Sequence, residues 1–397
     1  MKIAICSVQE FNPTIGGIER VSVALAEGLV KAGTEVVFVS CRKSPYSKPY
    51  ELPAKQHFLP LPLDYCQENV DVFAEIIKEE NVDIVLNQNS HSELYNRMCM
   101  EVKRLTGVIL VSVFHFTPDM RIKGNRHRVN FRYLPLKENI TGVLRDVATR
   151  FPFRYVTMHS QHRLFRNLYF NSDSVVLLSN EYKPLYAKIA GLKETDKLVA
   201  INNMLSFPYE KCIYNKKKQI LFCGRLLFHQ KRPDRVLQAW SLVQDRMSDW
   251  NLVIVGDGPF RTQMQQLSVR LSLQRVEFVG FKDPVEYYKE SAILCMTSNY
   301  EGWPMVLAEA MQYGCVPVAF DSFKSIHEII QDGVNGFLIE PFDIKAYAEK
   351  VASIANDEML HLYSENAISS VEKFSYENIV KQWIMLFESL IEQRKRS

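Results

Sequence analysis

Two glutamates frame the run Glu301-Gly302-Trp303-Pro304-Met305-Val306-Leu307-Ala308-Glu309. The apolar segment just before it, Ala292-Ile293-Leu294-Cys295-Met296, has the pattern of a buried parallel strand. Pro304 suits the first position of a helix, where its missing N–H costs nothing. The backbone amides of Met305 and Val306 are then expected to point out of a helix N-terminus, a natural place for a phosphate. An acid beside a bound phosphate is unfavourable unless it also has hydroxyls to accept from. A sugar nucleotide brings phosphates and hydroxyls together, so the pattern points to one. An ordinary strand-turn-helix with two surface glutamates would read the same way locally.

A cationic pair lies in the same half. Gly224-Arg225 follows the apolar run 219–223, and Lys231 comes six residues after Arg225. Two fixed cations at a departing pyrophosphate stabilise the transition state more than the ground state. Arginine grips phosphate oxygens through its fork, and lysine acts as a point charge. Gly256 and Gly258, in Val255-Gly256-Asp257-Gly258-Pro259, permit close backbone approach or a positive φ at a strand end. Val279-Gly280-Phe281-Lys282 sits at another strand end, and both stretches equally suit plain strand-helix turns. In the first half, Ile15-Gly16-Gly17-Ile18-Glu19-Arg20 opens a helix after the first apolar run. His115 ends a strand-like run, with Asn89 and His91 after another.

These residues need rigid elements to hold them. Strand-like runs at 2–8, 35–40, 83–87, 108–114 and 174–179 alternate with helical patterns such as 17–32 and 71–80. A second series follows at 219–223, 251–255, 276–279, 292–297, 316–319 and 336–339, with helices at 233–247, 259–271, 304–313 and 343–354. Alternation of this kind predicts α/β architecture with parallel sheets. The plan appears twice, so two doubly wound domains are expected to face each other across a cleft, with ligands at the carboxyl ends of the strands. The connector is expected near 200–218. The segment from Tyr376 to Gln393 is amphipathic, with Ile379, Trp383, Leu386, Phe387 and Leu390 at helical spacing.

At 397 residues the chain has length for two full cores. Residues 1–203 hold 26 Lys and Arg against 21 Asp and Glu, and the remainder 22 against 24. The mild basic excess suits an anionic substrate or surface and is too small to argue for nucleic acid. Eight scattered cysteines without a C-x-x-C pair read as free thiols of a reducing compartment, with neither a disulfide framework nor a zinc site. Met1-Lys2-Ile3-Ala4-Ile5-Cys6-Ser7-Val8 reads as a first strand rather than a signal peptide. No run approaches the roughly 20 apolar residues of a membrane span. The expected location is the cytoplasm, with peripheral contact at the inner face of the plasma membrane left open.

The paired glutamates with Arg225 and Lys231 resemble the donor site of retaining glycosyltransferases of family 4, which have the GT-B fold of two facing Rossmann-like domains. The resemblance spans nearly the whole chain and is tightest over 219–340. It implies an acceptor-binding domain over 1–203, joined by the C-terminal helix 376–397, and a donor-binding domain over 204–375. It makes Glu301 the acid beside the donor sugar and Glu309 the acid on the ribose. It makes Arg225 and Lys231 the diphosphate clamp, and places Gly224, Gly256 and Phe281 near the donor. Gly302, Trp303, Pro304, Met305 and Val306 line the same site, with Trp303 packing or shaping the sugar pocket. Gly16 and Gly17 correspond to the family's Gly-Gly-x-Glu-Arg pattern near the donor diphosphate or the acceptor, and His115 to a histidine near acceptor and sugar.

The implied reaction moves a hexosyl or N-acetylhexosaminyl group from a nucleoside-diphosphate sugar, UDP-linked rather than GDP-linked, to a hydroxyl of a glycan or lipid-linked acceptor of a cell-surface polysaccharide. The nucleotide sugar is a co-substrate, and no other cofactor is expected. No D-x-D is placed to bridge donor phosphates, so no metal is expected. A sugar-nucleotide epimerase of similar fold and a non-catalytic sugar-nucleotide-binding protein are the alternatives. A dehydrogenase is disfavoured, since no G-x-G-x-x-G follows the first strand. Residues 119–170 carry eleven Lys and Arg against Asp119, Glu138 and Asp146, with eight interleaved Phe and Tyr. That mixture suits an anionic membrane or a lipid diphosphate, a nucleic acid, or a solvated helical insertion whose aromatics are core.

Overall fold

The computed structural model describes residues 1–45, 49–120, 155–212, 214–355 and 358–396. Internal contacts divide the chain into two units, Met1–Pro118 with Pro152–Ser206 and Phe374–Ser397, and a second unit containing Phe207–Lys373. The chain passes from the first unit to the second at Ser206–Phe207 and returns to the first at Lys373–Phe374.

The first unit is built on a parallel sheet. Its strands are β1 (Lys2–Gln9), β2 (Glu35–Arg42), β3 (Gln56–Phe58), β4 (Ile84–Asn87), β5 (Ile109–Phe114), β6 (Ser174–Leu177) and β7 (Leu198–Ala200). Their order is β3-β2-β1-β4-β5-β6-β7, and every pair is parallel. Strands covered on both faces by helices read as continuous apolar runs. Accordingly β4 and β5 are buried at every residue. The three-residue strands β3 and β7 at the edges had no such signal. The helix Glu93–Thr106 is capped by Ser92, whose hydroxyl accepts from the Tyr95 amide, and stopped by Gly107 in the left-handed region.

The C-terminal helix Tyr376–Arg396 packs on the helix Gly17–Lys31. The approach is close: a methyl group on Gly28 would overlap the Val380 Cγ2. Ile379, Val380, Trp383, Phe387 and Leu390 are buried along one face of this helix. Each such side chain contributes about 1.5–3 kcal/mol by leaving water, which is what holds the last segment on the first unit.

The second unit is a parallel sheet of β8 (Lys217–Cys223), β9 (Asn251–Val255), β10 (Val276–Gly280), β11 (Ser291–Met296), β12 (Val316–Phe320) and β13 (Phe337–Ile339). The order is β10-β9-β8-β11-β12-β13. The chain winds outward one way from β8 and then returns to start β11 on its other side. The carboxyl ends of β8 and β11 therefore flank a topological switch point, where open α/β sheets bind ligands. In the first unit the same reversal lies between β1 and β4.

Of the cysteines, Cys6, Cys41, Cys99, Cys295 and Cys315 are buried, Cys66 and Cys223 are intermediate and Cys212 is exposed; none is joined in a disulfide. Most of the basic and aromatic stretch 119–170 lies outside the described residues. Its described parts are 119–120 and 155–170, and the latter is helical.

Candidate active site

Both paired glutamates and both members of the cationic pair sit at the switch point of the second sheet. Arg225 and Lys231 lie on the loop leaving β8, and Glu301 on the loop leaving β11. The two loops are stapled together. The Asn299 amide donates to the Gln230 carbonyl at 2.7 Å and its Nδ2 to the His229 carbonyl at 2.8 Å. The Thr297 hydroxyl donates to the Arg232 carbonyl at 2.8 Å. At the end of the first loop, Arg232 closes a two-bond fork on the fully buried Asp234, at 2.9 and 2.8 Å.

This stapling brings charge together. Lys231 Nζ lies 2.8 Å from Glu301 Oε1, and Gln230 Nε2 donates to Oε2 at 3.1 Å. Glu301 is only 5% exposed and Glu309 only 2%. A carboxylate that far from water is costly unless donors face it. For Glu301 these are a lysine and an amide, for Glu309 the Tyr288 hydroxyl at 3.0 Å. Arg225 is exposed on the same loop.

The third loop at this end is packed too tightly for side chains. Gly224 donates to the Val255 carbonyl and Leu226 to that of Asp257. A methyl on Gly256, whose φ is +133°, would overlap the Gly224 oxygen. One on Gly258 would lie 2.7 Å from the Leu226 oxygen. The glycines let two loops stack backbone on backbone. Phe281, just past β10, is 80% exposed.

The helix after Glu301 departs from expectation by one residue. Pro304 is its cap, with φ −79° and ψ 85°, and the helix runs Met305–Gln312. The Met305 amide donates to the Trp303 carbonyl at 3.0 Å, so it is committed to the turn instead of pointing out towards a phosphate. Trp303 and Pro304 are buried, while Gly302, Met305 and Val306 are intermediate. Glu309, on the second turn, is buried with its Oε2 against the Tyr288 hydroxyl.

In the first unit, the carboxyl ends of β1, β4 and β5 carry the other candidates. Gly16 caps the helix that begins at Gly17, and a methyl on Gly16 would overlap the Glu19 carboxylate. A methyl on Gly17 would have no atom within 4 Å. Burial raises the Glu19 pKa. His115 follows β5, its Nε2 2.6 Å from Gln88 Oε1. Burial, helped by the neighbouring His91 ring, pushes its pKa down to about 3, so the imidazole is neutral at pH 7. With Nε2 donating to Gln88, Nδ1 is left as an acceptor.

Gln230, Thr297, Asn299 and Tyr288 carried no signal in the sequence. Their partners are backbone carbonyls or side chains distant along the chain. Gln230, adjacent to Lys231, and Asn299, two residues before Glu301, stood beside recognised patterns.

Two family models match this chain: "Glycosyltransferase Family 4" over residues 15–205 and "Glycosyl transferases group 1" over residues 208–370. An uncharacterized glycosyltransferase of Haemophilus influenzae is 26% identical over 93% of this chain and 95% of its own length. The poly(glycerol-phosphate) α-glucosyltransferase of Bacillus subtilis is 26% identical over 58% of this chain and 35% of that one. Among solved structures, HepE of Anabaena in complex with UDP and glucose is similar at a TM-score of 0.73 and 16% identity, covering 98% of this chain and 100% of that one. The chain belongs to the family 4 glycosyltransferases, and its two Rossmann-like units are those of the GT-B fold.

Proposed function

We propose that this glycosyltransferase moves a hexosyl or N-acetylhexosaminyl group from a nucleoside-diphosphate sugar, UDP-linked in preference to GDP-linked, to a hydroxyl of a glycan or lipid-linked acceptor, with retention at the anomeric carbon. The observation that carries this reading is the Lys231–Glu301 pair, 2.8 Å apart at the switch point with Arg225 on the same loop. A cation and an acid within one hydrogen bond of each other suit a ligand whose phosphate and sugar hydroxyls are equally close. In the proposed roles, Arg225 and Lys231 grip the diphosphate, Glu301 faces the sugar and Glu309 the ribose. Gly224, Gly256 and Gly302 let the backbone come close, and Phe281 offers a face to the base. The second unit binds the donor, and the first unit, with the Gly16–Gly17 turn and neutral His115, serves the acceptor.

The chemistry follows from the charges. As the sugar–phosphate bond breaks, negative charge grows on the diphosphate, and Arg225 and Lys231 stabilise it more than the intact donor. The departing phosphate oxygen takes the proton of the incoming hydroxyl on the same face of the sugar. No enzymatic nucleophile is required, and the paired acids are not the two opposed carboxylates of a glycosidase. The B. subtilis relative, a poly(glycerol-phosphate) α-glucosyltransferase, supports a polymer as acceptor. Donor breakdown is to be measured across UDP- and GDP-sugars, with and without lipid-linked acceptors. The expected result is acceptor-dependent turnover that falls at least roughly a hundredfold in Arg225→Ala and Lys231→Ala. Turnover without acceptor to an epimeric sugar nucleotide, or near-normal rates in both variants, overturns the reading.

Peripheral contact with anionic lipid through 119–170 belongs to the same proposal. Flotation with phosphatidylglycerol vesicles is expected at low salt and its loss at high salt; protein that stays at the bottom under both conditions removes it.

A further inference from the structure

Glu309 is held by a residue that none of the site patterns contained. Tyr288, in the short helix Val285–Glu290, is fully buried, and its hydroxyl donates to Glu309 Oε2 at 3.0 Å. The phenol oxygen also lies 3.5 Å from the Sγ of Cys223, the residue that precedes the Gly224-Arg225 loop. The backbone of Tyr288 is anchored independently. Its carbonyl accepts from Lys216 Nζ at 2.7 Å and from the Cys315 thiol at 3.1 Å. Lys216 also donates to the Tyr313 carbonyl at 2.5 Å, and the Tyr313 ring stacks on that of Tyr288, 17° from parallel. Burial, reinforced by the Glu309 charge, raises the phenol pKa well above 10, so it remains a donor throughout the working pH range.

An ionised carboxylate offers lone pairs on both oxygens. A fixed donor on one of them sets the plane of the group and directs the remaining lone pairs. A ribose diol needs that plane in one orientation to donate to it. We infer that Tyr288 is a positioning residue that orients Glu309 for the ribose diol and thereby sets the selectivity for ribonucleotide over deoxyribonucleotide donors. This rests on the proposed role of Glu309 at the ribose. A precedent in principle is that second-layer partners orient groups that touch the ligand, and that sites 1 Å too loose lose function.

The test is calorimetric titration of UDP, GDP and their 2′-deoxy and 3′-deoxy counterparts into the wild-type protein, Tyr288→Phe and Glu309→Gln. Tyr288→Phe keeps the ring and its stacking and removes only the hydroxyl. The wild type is expected to prefer the ribonucleotide roughly tenfold or more, the value of a hydrogen bond to a charged group. Glu309→Gln should erase the preference. Tyr288→Phe should lose most of it, with affinity for the deoxy ligands held within about twofold, and should raise the donor KM with kcat kept. If Glu309→Gln erases the preference and Tyr288→Phe retains it, the inference fails while the ribose role of Glu309 stands. If Tyr288→Phe weakens all ligands equally, the tyrosine is merely structural and the inference is overturned. If the wild type shows no preference, the ribose role falls and the inference with it.

Discussion

At the scale of single residues, the two acids of the site are buried where each would be costly alone. Glu301 is tolerable at 5% exposure because Lys231 and Gln230 meet its two oxygens, and Glu309 is supported from below by Tyr288. His115 takes the opposite solution and gives up its charge. Its pKa, pushed from 6.5 to about 3 by burial and then by His91, has a consequence for stability. Between those two values the unfolded chain binds the proton and the folded one does not, so stability rises with pH across that window and is lost as pH falls through it. Urea midpoints measured from about pH 7 down to pH 4 should fall more steeply for the wild type than for His115→Asn. Parallel slopes would show that His115 is not held neutral by the fold.

At the scale of elements, the site is made by three loops leaving β8, β9 and β11. The first two are stacked through glycines, and the first and third are tied by Asn299 and Thr297. Gly256 is the tightest point, since its φ is +133° and a methyl there meets the Gly224 oxygen. Gly256→Ala should therefore lower stability by roughly 2–5 kcal/mol and weaken UDP binding, because the displaced loop is the one that carries Arg225. Gly17→Ala, with no atom near the added methyl, should leave the melting temperature within a few degrees of wild type. Thermal melts of the two variants side by side decide the point, and a wild-type melt for Gly256→Ala would mean the loops are not stacked as described.

At the scale of the whole molecule, each sheet carries its candidate residues at the carboxyl ends of its strands: Gly16, Gly17 and His115 after β1 and β5 in the first, and the charged cluster after β8 and β11 in the second. The division of labour proposed between the units puts all donor-phosphate charge on side chains of the second. In the proposed roles Arg225 and Lys231 neutralise the growing diphosphate charge, and turnover is expected to be unchanged after dialysis against a chelator. A rate that collapses there and returns with magnesium or manganese would refute that account. No helix among the described residues is long and apolar enough to cross a membrane.

The α/β class and both parallel sheets were legible in the chain, because strands buried on both faces must be continuously apolar and their helices must be amphipathic. The charged residues proposed to hold the donor could be singled out because Arg225 and Lys231 lie six residues apart on one loop and Glu301 and Glu309 eight residues apart. What the chain could not show is anything made by contact between distant segments. The edge strands β3 and β7 are too short for a period to register. Pro304 became a cap because the turn at Trp303 takes up the Met305 amide. Lys231 and Glu301 are far apart in the chain, and their meeting depends on β8 and β11 being neighbours in the sheet. Tyr288 reaches Glu309 only because Lys216, Cys315 and Tyr313 hold it there. Residue type and local spacing select the chemistry available; the sheet order selects which charges share a pocket, since electrostatic and hydrogen-bonding energies depend on distance in space and carry no imprint in the intervening sequence.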